Sequence, residues 1–354
     1  MGRQAKAGQR LESLVRMAIP ILQAAERECP RQGRGAQPTF AEWRMAALIM
    51  IAVLHKKKSK SAQYRFLCEQ RATIARWVAD ERFPSRPTYF RRYRKAHRLW
   101  RKAIELHGQR GIAEGVTDPT EVAVDKSLID GLGAPWHKQD RQAGKIPAGV
   151  DCDCTWGYSE HDGWAHGYSY EVVVSATPGY TVFPLLASVD TASASETRTF
   201  ADKIDDLPAG TRAVSADSGY DRNEYGERIE YDEHGRRTNR RFLCPENPRN
   251  TKGRKLKPAL DAKQARSRAR REQRRAFLQS RRGRRIYVRR KKTVEPFNQW
   301  FKSLFELDQQ VWHRGLENNR TQMLAAVFAY QLLVRYNHRV GNHNARVRWI
   351  LDSL

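Results

Sequence analysis

The sequence predicts an α/β protein: a mixed sheet with flanking helices, preceded by an all-α N-terminal region. Three observations predict it. Apolar residues recur at helical spacing up to about residue 110 and alternate afterwards. The later part runs through several β-segments, then a helix, then further strands. The chain has 354 residues, 40% of them hydrophobic, which suffices for two domains and a sizeable core.

In the N-terminal part, Leu11, Leu14, Val15, Ala18, Ile19 and Leu22 mark a helix over 10–28, with Pro20 expected to kink or split it. Residues 30–38 read as a loop. Thr39, with Glu42 three positions on, forms a capping box that opens a helix through "WRMAALIMIAVL". Shorter helices are expected near 61–69 and 72–79. Ser85 as N-cap and Pro87 in the first turn then start a long helix over 83–108, studded with Arg91, Arg92, Arg94 and Lys95. Short helices followed by a basic one resemble a helix-turn-helix, which would put those four cations on DNA.

"GIAEGVTDPT" (111–120) reads as a linker. Strands follow in "EVAVDKSLI", "HGYSYEVVVSA" and "YTVFPLLASV", then a helix in "SASETRTFADKIDDL", then strands in "RAVSADSGY" and "RRFLCPE". The domain reading is 1–112 helical and DNA-binding, 113–340 catalytic with a basic connection at about 250–290, and 341–354 a tail.

Lys and Arg number 65 against 39 Asp and Glu, a net charge of +26. A field that strong repels itself unless a polyanion is bound, and nucleic acid is the usual one. Residues 252–292 hold nineteen Lys and Arg against Asp261 and Glu272; the stretch reads as a connection lying on nucleic acid, helical in part, with Gly283 as a break. The most apolar stretches, 45–54 and 323–334, are too short to span a bilayer. Five scattered cysteines and no signal peptide indicate a reduced, intracellular protein. Cys152 and Cys154 with His161 and His166 fit no common zinc spacing. In "PWHK", Trp136 can stack on a base and His137 and Lys138 can reach phosphate; a core tryptophan beside a turn fits as well.

Asp125 and Asp217 each follow an alternating apolar run, at or near a strand end. Two such carboxylates on neighbouring strands repel unless a divalent cation lies between them. Asp130 is the alternative to the first, placed past the strand in a turn, and Asp221 the alternative to the second. Glu295 stands alone after four cations. Thr293 as N-cap would place it in the first turn of a helix, on one stripe with Lys302, so that the acid can hold a metal beside a phosphate held by the lysine.

"AVDKSLIDGLGAPWHKQD", "HGYSYEVVVS", "SADSGYDRNEY" and "YVRRKKTVEPFNQWFK" together make the sequence resemble the DDE transposases of bacterial insertion sequences, over about 40–340. The resemblance implies a ribonuclease-H-like catalytic domain whose acids come from the first strand, the fourth strand and a late helix: Asp125, Asp217 and Glu295. It implies two Mg²⁺ ions, with Mn²⁺ as substitute. The activity implied is cleavage of double-stranded DNA at terminal inverted repeats and joining of the 3′-hydroxyls to target DNA, by a homodimer. Many relatives carry a Tyr-Arg-Glu-Lys signature. Here Glu295 and Lys302 have its spacing, whereas Tyr287 and Arg290 each stand one residue early. With Lys291 and Lys292 beside them, these residues are expected on DNA. A bacterial cytoplasmic, nucleoid-associated setting follows. A domesticated, catalytically silent DNA binder and a metal-dependent nuclease of the same fold are the alternatives.

Overall fold

The computed structural model describes residues 3–30, 39–160, 163–248 and 261–354. The helical N-terminal region is present: α1 (Arg3–Glu28), α2 (Glu42–Leu54), α3 (Lys60–Glu69), α4 (Arg71–Val78), α5 (Arg86–Tyr93) and α6 (His97–Ala113). Three expectations change here. Helix α1 passes through Pro20 unsplit. Helix α2 starts at Glu42 without a Thr39 cap, because the Glu42 amide is taken up by Glu26 Oε1 at 2.7 Å. The expected helix over 83–108 breaks at 94–96, where Arg92 turns inward to bond the Phe40 carbonyl at 2.5 Å and Glu42 at 2.9 Å.

A curled mixed sheet follows. Its strands are β1 (Glu121–Asp130), β2 (Thr155–Ser159), β3 (Gly163–Ser175), β4 (Pro184–Thr191), β5 (Ala213–Ser215) and β6 (Arg241–Leu243), in the order β2-β3-β1-β5-β6, with β4 also on β3. β1, β3 and β4 are antiparallel neighbours, whereas β5 and β6 run parallel to β1. β5 pairs with β1 only along Glu121–Ala123, so β1 continues without that neighbour. The helix expected in 193–207 is present as α8, shortened to Glu196–Ala201, whereas three helices were too short or too polar to predict: α7 (Lys138–Gln142), α9 (Asn223–Glu230) and, at the C-terminus, α13 (Arg348–Leu351).

The basic segment, beyond residues 249–260, which lie outside the described residues, forms α10 (Ala262–Gln279) and α11 (Arg281–Leu304). The break between them is Ser280, whose hydroxyl caps α11 through the Gly283 amide at 3.1 Å, and not Gly283 itself. Gly283 has another duty: a Cβ there would overlap the Phe277 carbonyl, so glycine lets the two helices meet closely. The arginines of α10 face acids of the same chain, with Arg270 to Glu227 at 2.5 Å and Arg271 to Asp221 at 2.6 Å.

One continuous core joins these parts. α12 (Leu316–Arg339) is buried along nearly its whole length and carries Phe328 against Trp100 of α6 at 5.2 Å between ring centroids. Gln331 ties the Ile104 and Pro184 carbonyls at 2.9 and 2.8 Å. The same core runs from Leu11 to Leu351, across the expected boundaries at 112 and 340. Among the described residues no helix is long and apolar enough to cross a membrane.

Candidate active site

Asp125 stands in the middle of β1, not at its end, with Val172 of β3 opposite. Asp130 is the last strand residue, exposed, and accepts the His166 amide at 3.2 Å; it was expected beyond the strand. Successive residues of a strand point to opposite faces, and β3 uses both. Tyr170 faces α11 and donates to Asn298 Oδ1 at 3.1 Å. That fixes the amide so that Asn298 Nδ2 donates to Asp125 Oδ2 at 2.8 Å, while Arg290 Nη1 meets Asp125 Oδ1 at 3.2 Å. Two donors from one helix thus hold the carboxylate.

The other face carries a buried polar network. Glu171 accepts from Lys203 Nζ at 2.6 Å, Thr199 Oγ1 at 2.7 Å and the Tyr220 hydroxyl at 2.9 Å. Burying a charge is tolerated when it is paired and its remaining lone pairs are used. The network pins α8 and the short 3₁₀ turn Ser218–Tyr220 against β3. Asp217 caps that turn through the Gly219 amide at 2.8 Å. Glu196, the first residue of α8, comes so near that a Cβ on Gly219 would overlap its Oε2.

Electrostatics ties these acids together. Burial, then the charges of Asp217, Glu196 and Glu295, outweigh Arg290 and push the Asp125 carboxyl up to about 7. Burial, then Asp217, pushes Glu196 up to about 7 as well, against Lys126. Glu295 is exposed, and its helix begins at Arg281, so it lies in mid-helix and not in a first turn. Thr293 is no cap; its hydroxyl donates to the Arg289 carbonyl at 2.8 Å, and Pro296 sits inside the helix.

The donor set is carboxylate oxygen throughout, which suits a hard divalent ion such as magnesium better than zinc. Among the described residues, no three acids, histidines or cysteines already stand close enough to hold an ion. His161 lies outside the described residues, and all five cysteines are free.

The chain matches a family model described as "Transposase DDE domain" over residues 117–332. The chain belongs to that family. The match spans Asp125, Asp217 and Glu295 and makes this a transposase-type enzyme with DNA as its partner, of a family that generally uses divalent metal ions. No curated protein matches the chain, and no solved structure does.

The other expected residues of this transposase-family chain are scattered. Lys291 and Lys292 are exposed on α11 beside Glu295, and Lys302 lies two turns on. Tyr287 is half-buried under the Arg290 guanidinium, 5.9 Å from it. Arg91, Arg94 and Lys95 are exposed at the α5–α6 junction, with Arg92 buried. Trp136 is half-buried and anchors its loop through Lys145 at 2.9 Å, with His137 and Lys138 exposed next to it. Asn298 and Glu196 were missed. Asn298, like Arg290, interrupts the apolar stripe of its helix, and that was the available signal. Glu196 reads in sequence as an ordinary first-turn acid.

Proposed function

We propose that this protein is the transposase of a bacterial insertion sequence. It binds the element's terminal inverted repeats, cleaves there, and joins the freed 3′-hydroxyls to target DNA. Asp125, Asp217 and Glu295 are its catalytic acids. What supports the reading is the transposase DDE domain match over residues 117–332, which spans all three acids, 92 and 78 positions apart, together with the Asp125 carboxyl, pushed up to about 7 by burial first, against Arg290, with Asp217 and Glu295 among the charges that raise it. Asp125 stands on β1, Asp217 follows β5 and Glu295 lies on a late helix, an order that supports the ribonuclease-H-like reading with β2 as an addition to its core. Two Mg²⁺ ions on these carboxylates would supply an activated oxygen nucleophile and relief of phosphate charge. The chain's own residues do the rest. Asn298 holds Asp125 in orientation. Lys302, with Lys291 and Lys292, aligns phosphates along the Glu295 stripe of α11. Residues 1–112 grip the repeat, with Arg91, Arg94 and Lys95 on its backbone. Two chains act together, one for each end, in the bacterial cytoplasm on the nucleoid.

Purified protein with Mg²⁺ and a duplex carrying the element's own end tests this. Asp125→Ala, Asp217→Ala and Glu295→Ala should each reduce cleavage at least ~100-fold, the scale of losing charge stabilisation at a reacting centre, while end binding persists. Cleavage by Asp125→Ala at the wild-type rate would reject the assignment and point to Asp130. Wild-type protein that binds the end but never cuts it would favour a silent DNA binder.

A further inference from the structure

We propose that Glu196 is a fourth acid of the catalytic centre, holding a divalent cation together with Asp217. The two side chains converge on Gly219: a Cβ there would overlap Glu196 Oε2 and come within 3.0 Å of Asp217 Oδ1. Gly219 stays outside the left-handed region, so its backbone does not call for glycine; what glycine supplies is room for two carboxylates. Glu196 is half-buried, and among the described residues none hydrogen-bonds its carboxylate. The charges that bear on it are Asp217 and Glu171, which oppose its ionisation, and Lys126, which favours it. The Lys126 ammonium does not bond it and donates to the Ala192 and Ala194 carbonyls at 3.0 and 2.6 Å. A carboxylate drawn out of water without donors, and set beside a second one, is costly unless a cation joins the two.

Glu171 makes the contrast. Its carboxylate is satisfied by Lys203, Thr199 and the Tyr220 hydroxyl, and its work is structural. Those donors come from α8, from the turn just after it, and from the 3₁₀ turn that Asp217 caps. One buried carboxylate thus ties together the two elements that carry Glu196 and Asp217, and fixes where these acids meet. A first-turn acid that only complements its helix dipole lies in water, away from other acids; Glu196 is turned toward one. After Asp217, it is the acid whose charge bears most on Asp125, ahead of Glu295. Both Asp125 oxygens already accept a donor, from Arg290 and Asn298, and Asp217 Oδ1 accepts the Gly219 amide. The Glu196 oxygens bring lone pairs that none of these donors uses, and a hard ion such as Mg²⁺ or Mn²⁺ takes its ligands from carboxylate oxygens. Such an ion also relieves the repulsion that holds the acids apart.

The inference rests on the transposase reading for the presence of a metal centre, so metal binding is measured apart from cleavage. Mn²⁺ is titrated into the full-length protein, with and without end DNA, and bound ion is read by electron paramagnetic resonance, with thermal melts in parallel. Glu196→Gln keeps the shape and removes the charge. Mn²⁺ affinity should fall at least ~10-fold, the scale on which groups around a metal set its affinity. At about pH 7.5 the melting temperature without metal should hold or rise, because the lost carboxylate had no donors, and the stabilisation by Mn²⁺ should shrink. Glu196→Asp, which keeps the charge one methylene short, should recover part of the affinity. A purely structural Glu196 gives the reverse, a lower melting temperature without metal and unchanged Mn²⁺ affinity, and that result would overturn the inference, as would wild-type protein that binds no Mn²⁺. Wild-type protein that binds Mn²⁺ through Glu196 yet never cuts end DNA rejects the transposase and leaves the fourth acid standing.

Discussion

At the scale of single residues, Asp125 and Glu196 carry the clearest physical signature. Both carboxyls are pushed up to about 7, chiefly by burial and then by each other's neighbours. A carboxyl raised in the folded state binds its proton more tightly there than in the unfolded chain. Each therefore costs stability as pH climbs from the unfolded value of about 4 through the folded one. In metal-free buffer the melting temperature should fall between about pH 4 and pH 7.5, and Glu196→Gln should make that fall shallower by removing one of the two groups. Thermal melts across that range check it. A wild-type melting temperature that rises steadily with pH would contradict the placement of these acids. The same residue-level reading explains Arg290, a cation on an apolar stripe whose partner is Asp125 on the far side of the chain.

At the scale of elements, the site depends on what fixes α8 and α11. Helix α8 has only six residues, too few to hold itself together, and is anchored by Glu171, Thr199 and Lys203. Lys203→Met leaves Glu171 buried with its cation gone, a loss of about 3–5 kcal/mol for a broken buried pair. Urea melts measure it, and cleavage should fall more than end binding, because Asp217 and Glu196 lose their support. Helix α11 depends on its junction with α10. Gly283→Ala forces a methyl against the Phe277 carbonyl and should cost about 1–3 kcal/mol as the helices part. A variant of unchanged stability would mean that the junction is slack.

At the scale of the molecule, the basic segment divides between helix α10, whose arginines serve Asp221, Glu227 and Glu246 of the same chain, and the exposed stripe of α11. The basic segment is thus two things, an internal clamp and a free surface. Arg281, Arg284 and Arg285 are exposed on α11, on the stripe that leads to Lys291, Lys292 and Glu295. Neutralising those three arginines should lower the slope of log affinity for DNA against log salt by about 0.9 for each phosphate left without its cation. Neutralising Arg270 and Arg271 should instead lower stability with little change of slope. Titrations at several salt concentrations decide, and equal slopes for all variants would leave the stripe unassigned.

The sequence by itself determined the basic balance and most of the order of helices and strands, though not β2, α7, α9 or α13, because hydrophobic period is a local property; the three proposed acids were chosen from local motifs and the family resemblance they carry. "SADSGYD" announced the turn that Asp217 caps, and "KKTVEPFNQWFK" announced Glu295 with Lys302 on one face. Tertiary structure alone decided the rest. That Glu295 lies mid-helix follows from Ser280 capping fifteen residues earlier, where the chain had offered Thr293 as an equally good cap. Only the sheet's register sets Asp125 under Asn298 and Arg290, and only the Glu171 network carries Glu196 to Asp217. These hydrogen bonds join residues from 28 to 173 positions apart. The free energy that selects them is that of satisfying buried polar groups, which no local pattern encodes.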